Sequence, residues 1–263
     1  MNPSARADLS FALRMAAMIV ITHAIAYLTH EFAHSFSAWA LGFMANPFVL
    51  DYGKPTPANL VLLFDVADNV AYEPILQGGH GHAAAAIALA GPFVGNGLLY
   101  IGLYLATRRM RARGTLAVSM TFWLLAMCAG NIWSYVPIRA ITSHADIALA
   151  AQGLHVGVLA LFPVLLVPSL LLAGHFFIKV CPRLIPVMAQ GVTARAAVVI
   201  ALTTTWFFFL YGGAGLFGNY GPVSQAFSLA SMLLLMPCAV LWLWHRCVAS
   251  PLSACATPPG RQY

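Results

Sequence analysis

Six separate stretches of this 263-residue chain are each about as long and as apolar as a bilayer crossing requires, roughly 20 residues. They lie near 12–43, 83–106, 115–136, 154–178, 194–211 and 225–244. In lipid every backbone polar group must be satisfied within the protein, so such a chain is restricted to membrane helices. Composition agrees. Only 8% of residues are charged against 61% hydrophobic, whereas soluble domains carry about 25% charged residues. A water-soluble enzyme, a disordered chain and a nucleic-acid binder are thereby excluded as readings. The expected fold is all-α and polytopic, with about six transmembrane helices.

The basic residues set an expected orientation. Arg6 and Arg14 precede the first stretch, Arg108 to Arg113 separate the second and third, and Lys179, Arg183 and Arg195 separate the fourth and fifth. Arg246 and Arg261 follow the last. With six crossings these all fall on one side, so both termini are expected in the cytoplasm. The first stretch is too long for a signal peptide and is expected to be retained. The five cysteines contain no C-x-x-C pair and read as buried or membrane-embedded thiols. The segment 45–82 is the one long polar stretch, with Asp51, Asp65, Asp68 and Glu73. Its runs Phe48–Tyr52 and Asn59–Val66 are bounded by turn residues and are expected to pair as a small β-hairpin. Residues 248–263 read as a flexible tail.

His30-Glu31-Phe32-Ala33-His34 carries the chemistry. A spacing of four places both imidazoles on one helical face, one turn apart, as two ligands of a single Zn2+ require. Glu31, next to the first, can take a proton from water. Two histidines and a carboxylate inside a membrane helix are costly unless paired or liganded. His23 lies about two turns earlier and reads as a packing histidine or as a support for the ligands. A third ligand is needed. Asp146 is the one acid after Glu73, and reads either as that ligand or as a loop aspartate paired with Arg139. His144, His80 and His82 are rivals for the place.

Two further elements lie in the apolar stretches. The second stretch holds Ala90-Gly91-Pro92 with Asn96 nearby, small residues that admit close helix approach. The third runs through Asn131 to Pro137, where the helix should break and leave backbone lining a cavity. Together with the H-E-x-x-H these resemble the site-2 protease family of intramembrane zinc metalloproteases. The resemblance covers residues 15–150. It departs from the family pattern in the wider spacing of the third element and in Ile147 after Asp146. It implies one Zn2+ per chain held by His30, His34 and Asp146, with Glu31 as general base. It also implies hydrolysis of a peptide bond in or near a transmembrane segment of a membrane protein, as in regulated intramembrane proteolysis. Asn96 or Asn131 would contact substrate or the oxyanion, and the 45–82 segment would hold the unwound substrate strand by edge pairing.

On this reading residues 1–150 form the metalloprotease core and 151–247 are accessory crossings. The expected setting is a bacterial cell membrane, where the chain is multi-pass. Its expected partners are the lipid bilayer, a membrane-protein substrate and a regulatory membrane protein, with no nucleic acid. Other functions compete. A catalytically inactive homologue would keep the fold as a binding partner. A metal transporter would need several intramembrane acids, and Glu31 is the clear one. A two-iron membrane oxygenase would need more histidine boxes than His30 and His34 supply.

Overall fold

The computed structural model describes residues 3–107 and 115–249. The Arg108–Arg113 run, Arg261, Cys255 and all but the first two residues of the expected tail lie outside the described residues. Six helices are long and apolar enough to cross a membrane. The first, α1 (Pro3–Ala40), has 38 residues and extends about 57 Å at the α-helical rise, well beyond a bilayer core of about 30 Å. After it come two short helices, α2 (Pro57–Leu62) and α3 (Tyr72–Gln77). The second crossing is α4 (Gly81–Thr107) and the third α5 (Thr115–Ile138). A short α6 (Asp146–Gly153) precedes the remaining crossings α7 (Val158–Ala189), α8 (Thr193–Leu216) and α9 (Pro222–Ala249).

Two expectations change. The β-hairpin in 45–82 is not formed: among the described residues that segment holds an isolated antiparallel bridge between Asp51 and Ala67. Half of the expected second strand is helix, because Thr56 caps α2 with its side chain on the Asn59 N–H and Pro57 occupies the first turn. The fourth crossing also runs further than its apolar stretch, so Lys179 and Arg183 lie within α7 rather than in a connecting loop. Arg195, at the start of α8, pairs with Asp8 near the start of α1 at 3.1 Å. The first and fifth crossings therefore begin at the same end of the bundle, as the four passes completed between their starts demand.

Burial identifies the central helix. The most apolar window of α5 is 72% buried, against 17% for α9. Phe122, Trp123 and Met127 of α5 are fully enclosed, packed with Met15 and Met18 of α1, Phe176 of α7 and Phe207 of α8. The outward faces of α7 and α9 carry exposed Leu159, Val164, Leu171, Leu234 and Leu241. In lipid such faces need no cover.

Near the polar end, small residues bring helices together. A Cβ on Gly81 would strike the Gly153 carbonyl, and one on Gly153 would strike Gly81, so α6 lies backbone to backbone against α4. On the other side of α4, a Cβ at Gly95 would lie 2.8 Å from the Thr29 carbonyl oxygen, 3.0 Å from Ala33 Cβ and 3.1 Å from His30 Cα. Helices α1 and α4 thus approach as closely as glycine permits. Gly95→Leu is expected to force them apart. The variant should lose about 1–3 kcal/mol of stability, seen as a lower unfolding temperature in detergent.

Candidate metal centre

In α1 the i, i+4 spacing brings His30 and His34 onto the face that meets α4 and the start of α6. Both are 1% exposed. Their Nε2 atoms lie 3.1 Å apart, and Asp146 Oδ2 is 3.3 Å from each. The three atoms form a nearly equilateral triangle. Tetrahedral bonds of about 2.0–2.1 Å place neighbouring ligand atoms about 3.3–3.4 Å apart, so the three donors are spaced as ligands that could hold one small metal ion. Asp146 Oδ2 is buried and has no hydrogen-bond partner among the described residues, an arrangement that calls for a cation. Gly91 faces the triangle, and a Cβ there would collide with both Nε2 atoms.

Each imidazole is oriented from behind. His34 Nδ1 lies 2.7 Å from the Ile87 carbonyl and donates its proton there, which leaves the Nε2 lone pair turned toward the triangle. His30 Nδ1 lies 3.1 Å from the Asn96 side-chain amide nitrogen, while Asn96 Oδ1 is buried without a partner. Exchanging the amide's oxygen and nitrogen, which are alike in shape, satisfies both groups: Oδ1 then accepts from His30 Nδ1–H. Asn96 is placed as a support for His30, and contact with an oxyanion would require it to leave that position. The His30 ring also stacks on Tyr135, centroids 4.6 Å apart.

Asp146 reaches the site from the first turn of α6. Residue 145 before it is an alanine with φ 70° and ψ 177°, backbone strained for any residue with a Cβ. The strain is held by the Ala148 and Leu149 N–H groups, which donate to the Ala145 carbonyl. Arg139 is engaged elsewhere, donating to the Ser134 carbonyl and the Tyr220 hydroxyl and lying 4.1 Å above the Tyr135 ring. The alternative Asp146–Arg139 pair is therefore not formed.

Glu31 projects beside the triangle rather than into it. Its Oε2 accepts the backbone N–H of Asp68 at 2.9 Å. Asp68 in turn accepts from Val70 N–H and from the Tyr72 hydroxyl. Burial raises the Asp68 carboxyl, although His34 and the Val70 N–H oppose the shift. Neither Asp68 nor Tyr72 was singled out by sequence reasoning. The one signal for Asp68 was its place among four acids set against the single Lys54 in the 45–82 region. Glu31, His34 and Asp68 form a second cluster of donors, but His34 cannot offer Nδ1 there while it bonds Ile87.

The rivals for the third ligand place lie apart from the triangle. His144 is exposed and stacks on Tyr220, and His80 packs against Phe43. His82 is exposed in the first turn of α4. His23 is held between the Tyr211 hydroxyl and the Leu62 carbonyl, each at 2.9 Å. Asn131 is buried with its Oδ1 unpartnered, and no hydrogen bond ties it to the three donors. The α5 helix does break ahead of Pro137: Val136 has φ −136° and ψ 112°, as steric conflict with a following proline favours. That break turns the chain back so that 139–146 can return to α1.

Asp146→Ala and His34→Ala are expected to abolish stoichiometric metal binding, whereas His144→Ala and His80→Ala keep it. Metal analysis of detergent-purified protein separates these outcomes. Asn96→Ala should weaken metal affinity by about 10–100-fold with the ligands intact, measured by competition with a chelator. Comparison of the chain with protein-family models, with curated proteins and with solved structures gives no match.

Proposed function

We propose that this protein is an intramembrane zinc metalloprotease that hydrolyses a peptide bond in or near a transmembrane segment of a membrane protein. One observation carries the reading: His30, His34 and Asp146 converge in a triangle with edges of 3.1–3.3 Å, beside a glutamate at the next helix position. His30 Nε2, His34 Nε2 and Asp146 Oδ2 would hold the ion. When bound, zinc supplies a Lewis acid that lowers the pKa of a water and polarises the substrate carbonyl.

The residues of the chain do the remainder. The Glu31 carboxylate accepts the proton of the attacking water and returns it to the departing amine nitrogen. Ile87 and Asn96 fix the two imidazoles so that only Nε2 of each faces the reaction. Gly91 keeps the floor of the site free of side-chain bulk. The apolar bundle around it limits water to what reaches the polar end, which favours every charge interaction inside. A substrate helix must unwind locally, since its carbonyls are otherwise held by its own hydrogen bonds, so helix-breaking residues are expected near the cut.

Among the described residues, the clusters suited to a metal share His34, an arrangement suited to one ion rather than to two irons. Glu31→Gln is expected to retain zinc and to lower cleavage of a reconstituted transmembrane substrate by at least about 100-fold, the scale of general acid–base assistance. Unchanged cleavage in that variant would overturn the role of Glu31. Intact biological activity in a zinc-binding but cleavage-dead variant would favour a binding role instead.

A further inference from the structure

Three polar side chains recur along α1 at one-turn spacing: His23, Tyr27 and Glu31. Each is bonded to the main chain of one segment. His23 Nε2 lies 2.9 Å from the Leu62 carbonyl, the Tyr27 hydroxyl donates to the Val66 carbonyl at 3.1 Å, and Glu31 Oε2 accepts from Asp68 N–H at 2.9 Å. The segment 62–68 therefore runs alongside α1, in the same direction, and ends on the carboxylate next to the metal ligands. It is clasped from its other side as well. Ala67 exchanges two backbone hydrogen bonds with Asp51, at 2.9 and 3.0 Å, and Asp65 N–H donates to the Asn59 side chain. Val66 is buried.

This rail reads only carbonyl oxygens and an amide hydrogen, so it is indifferent to side chains. The segment itself is the end of α2 followed by a turn that the Val66 N–H closes on the Leu63 carbonyl, but groups four helical residues apart, about 6 Å, also match alternate carbonyls of an extended strand at about 3.3 Å per residue, the form a substrate must take once unwound. Glu31 is 5% exposed, and one of its carboxylate oxygens is already engaged. We propose that residues 62–68 are a built-in occupant of the substrate track, a strap that lies where the substrate strand must lie and has to be displaced before cleavage. The proposal rests on the proteolytic reading above and adds to it a mode of recognition and a restraint on activity. It differs from edge pairing, in which the 45–82 segment would stay in place and gain a strand.

Hydrogen exchange separates the two. The zinc content of the detergent-purified full chain is measured first. A short apolar peptide hydroxamate is then added, its binding is read from thermal stabilisation, and exchange of the 62–68 amides is followed. Displacement predicts that these amides exchange about tenfold faster with hydroxamate bound. Unchanged or slower exchange with hydroxamate bound overturns the strap. Ala67→Pro removes the Ala67 N–H bond to Asp51 and leaves the rail untouched. It should raise hydroxamate affinity about fivefold by populating the open state. Equal or weaker affinity in a variant that keeps zinc overturns the proposal, as does a failure of hydroxamate to bind either zinc-loaded protein. A wild-type chain that holds no zinc before hydroxamate is added defeats the proteolytic reading itself, and the strap with it.

Discussion

Polar donors inside an apolar bundle are tolerated only when each has a partner, and the polar end of this protein is organised around that requirement. His30 and His34 are nearly sealed from solvent, and each has two nitrogens to satisfy. The outer nitrogen of His34 is met by the Ile87 carbonyl, and that of His30 by Asn96. The inner nitrogens face Asp146. Both supports come from α4, which can reach them because Gly91 and Gly95 remove the side chains that would hold the helices apart. The close packing of α1 on α4, the break before Pro137 and the return of the chain to Asp146 all serve one small volume.

Much of this was legible in the sequence for identifiable reasons. Hydrophobic runs revealed the six long helices, since length and apolarity suffice for that inference. His30 and His34 were readable because helical period alone puts them on one face. Asp146 stood out as a rare acid in a chain nearly free of charge. What sequence could not supply was the partner of Glu31, because a backbone N–H leaves no mark in residue identity. The expected hairpin failed because the flanking turn residues argued for strands in 48–52 and 59–66, while Thr56 and Pro57 provided a helix start that won locally. Asn96 was read as a contact for substrate or oxyanion, because its support of His30 depends on how α1 and α4 cross.

The division of labour among the helices follows from burial. Helix α5 is enclosed by its neighbours and acts as the post on which α1, α7 and α8 pack. Helices α7 and α9 turn large apolar faces outward, so their outer surfaces are set by lipid rather than by the site. The polar chemistry is carried by α1, α4, the 62–72 segment and α6, which come from the first 153 residues.

The contact between Gly81 and Gly153 has a mechanical meaning. Helix α6 is only eight residues long; its backbone meets that of α4 at the two glycines, and its Ile147, Ala150 and Ala151 pack with Ala85 and Ala88 of α4. A cation shared by His30, His34 and Asp146 would add a rivet between α6 and α1, closing a loop of more than a hundred residues. Binding energy of such an ion is also folding energy for the pieces it joins. With α6 already seated on α4 by packing, such an ion would fix where Asp146 sits against α1, and the ligand triangle would serve as a fastening between the two.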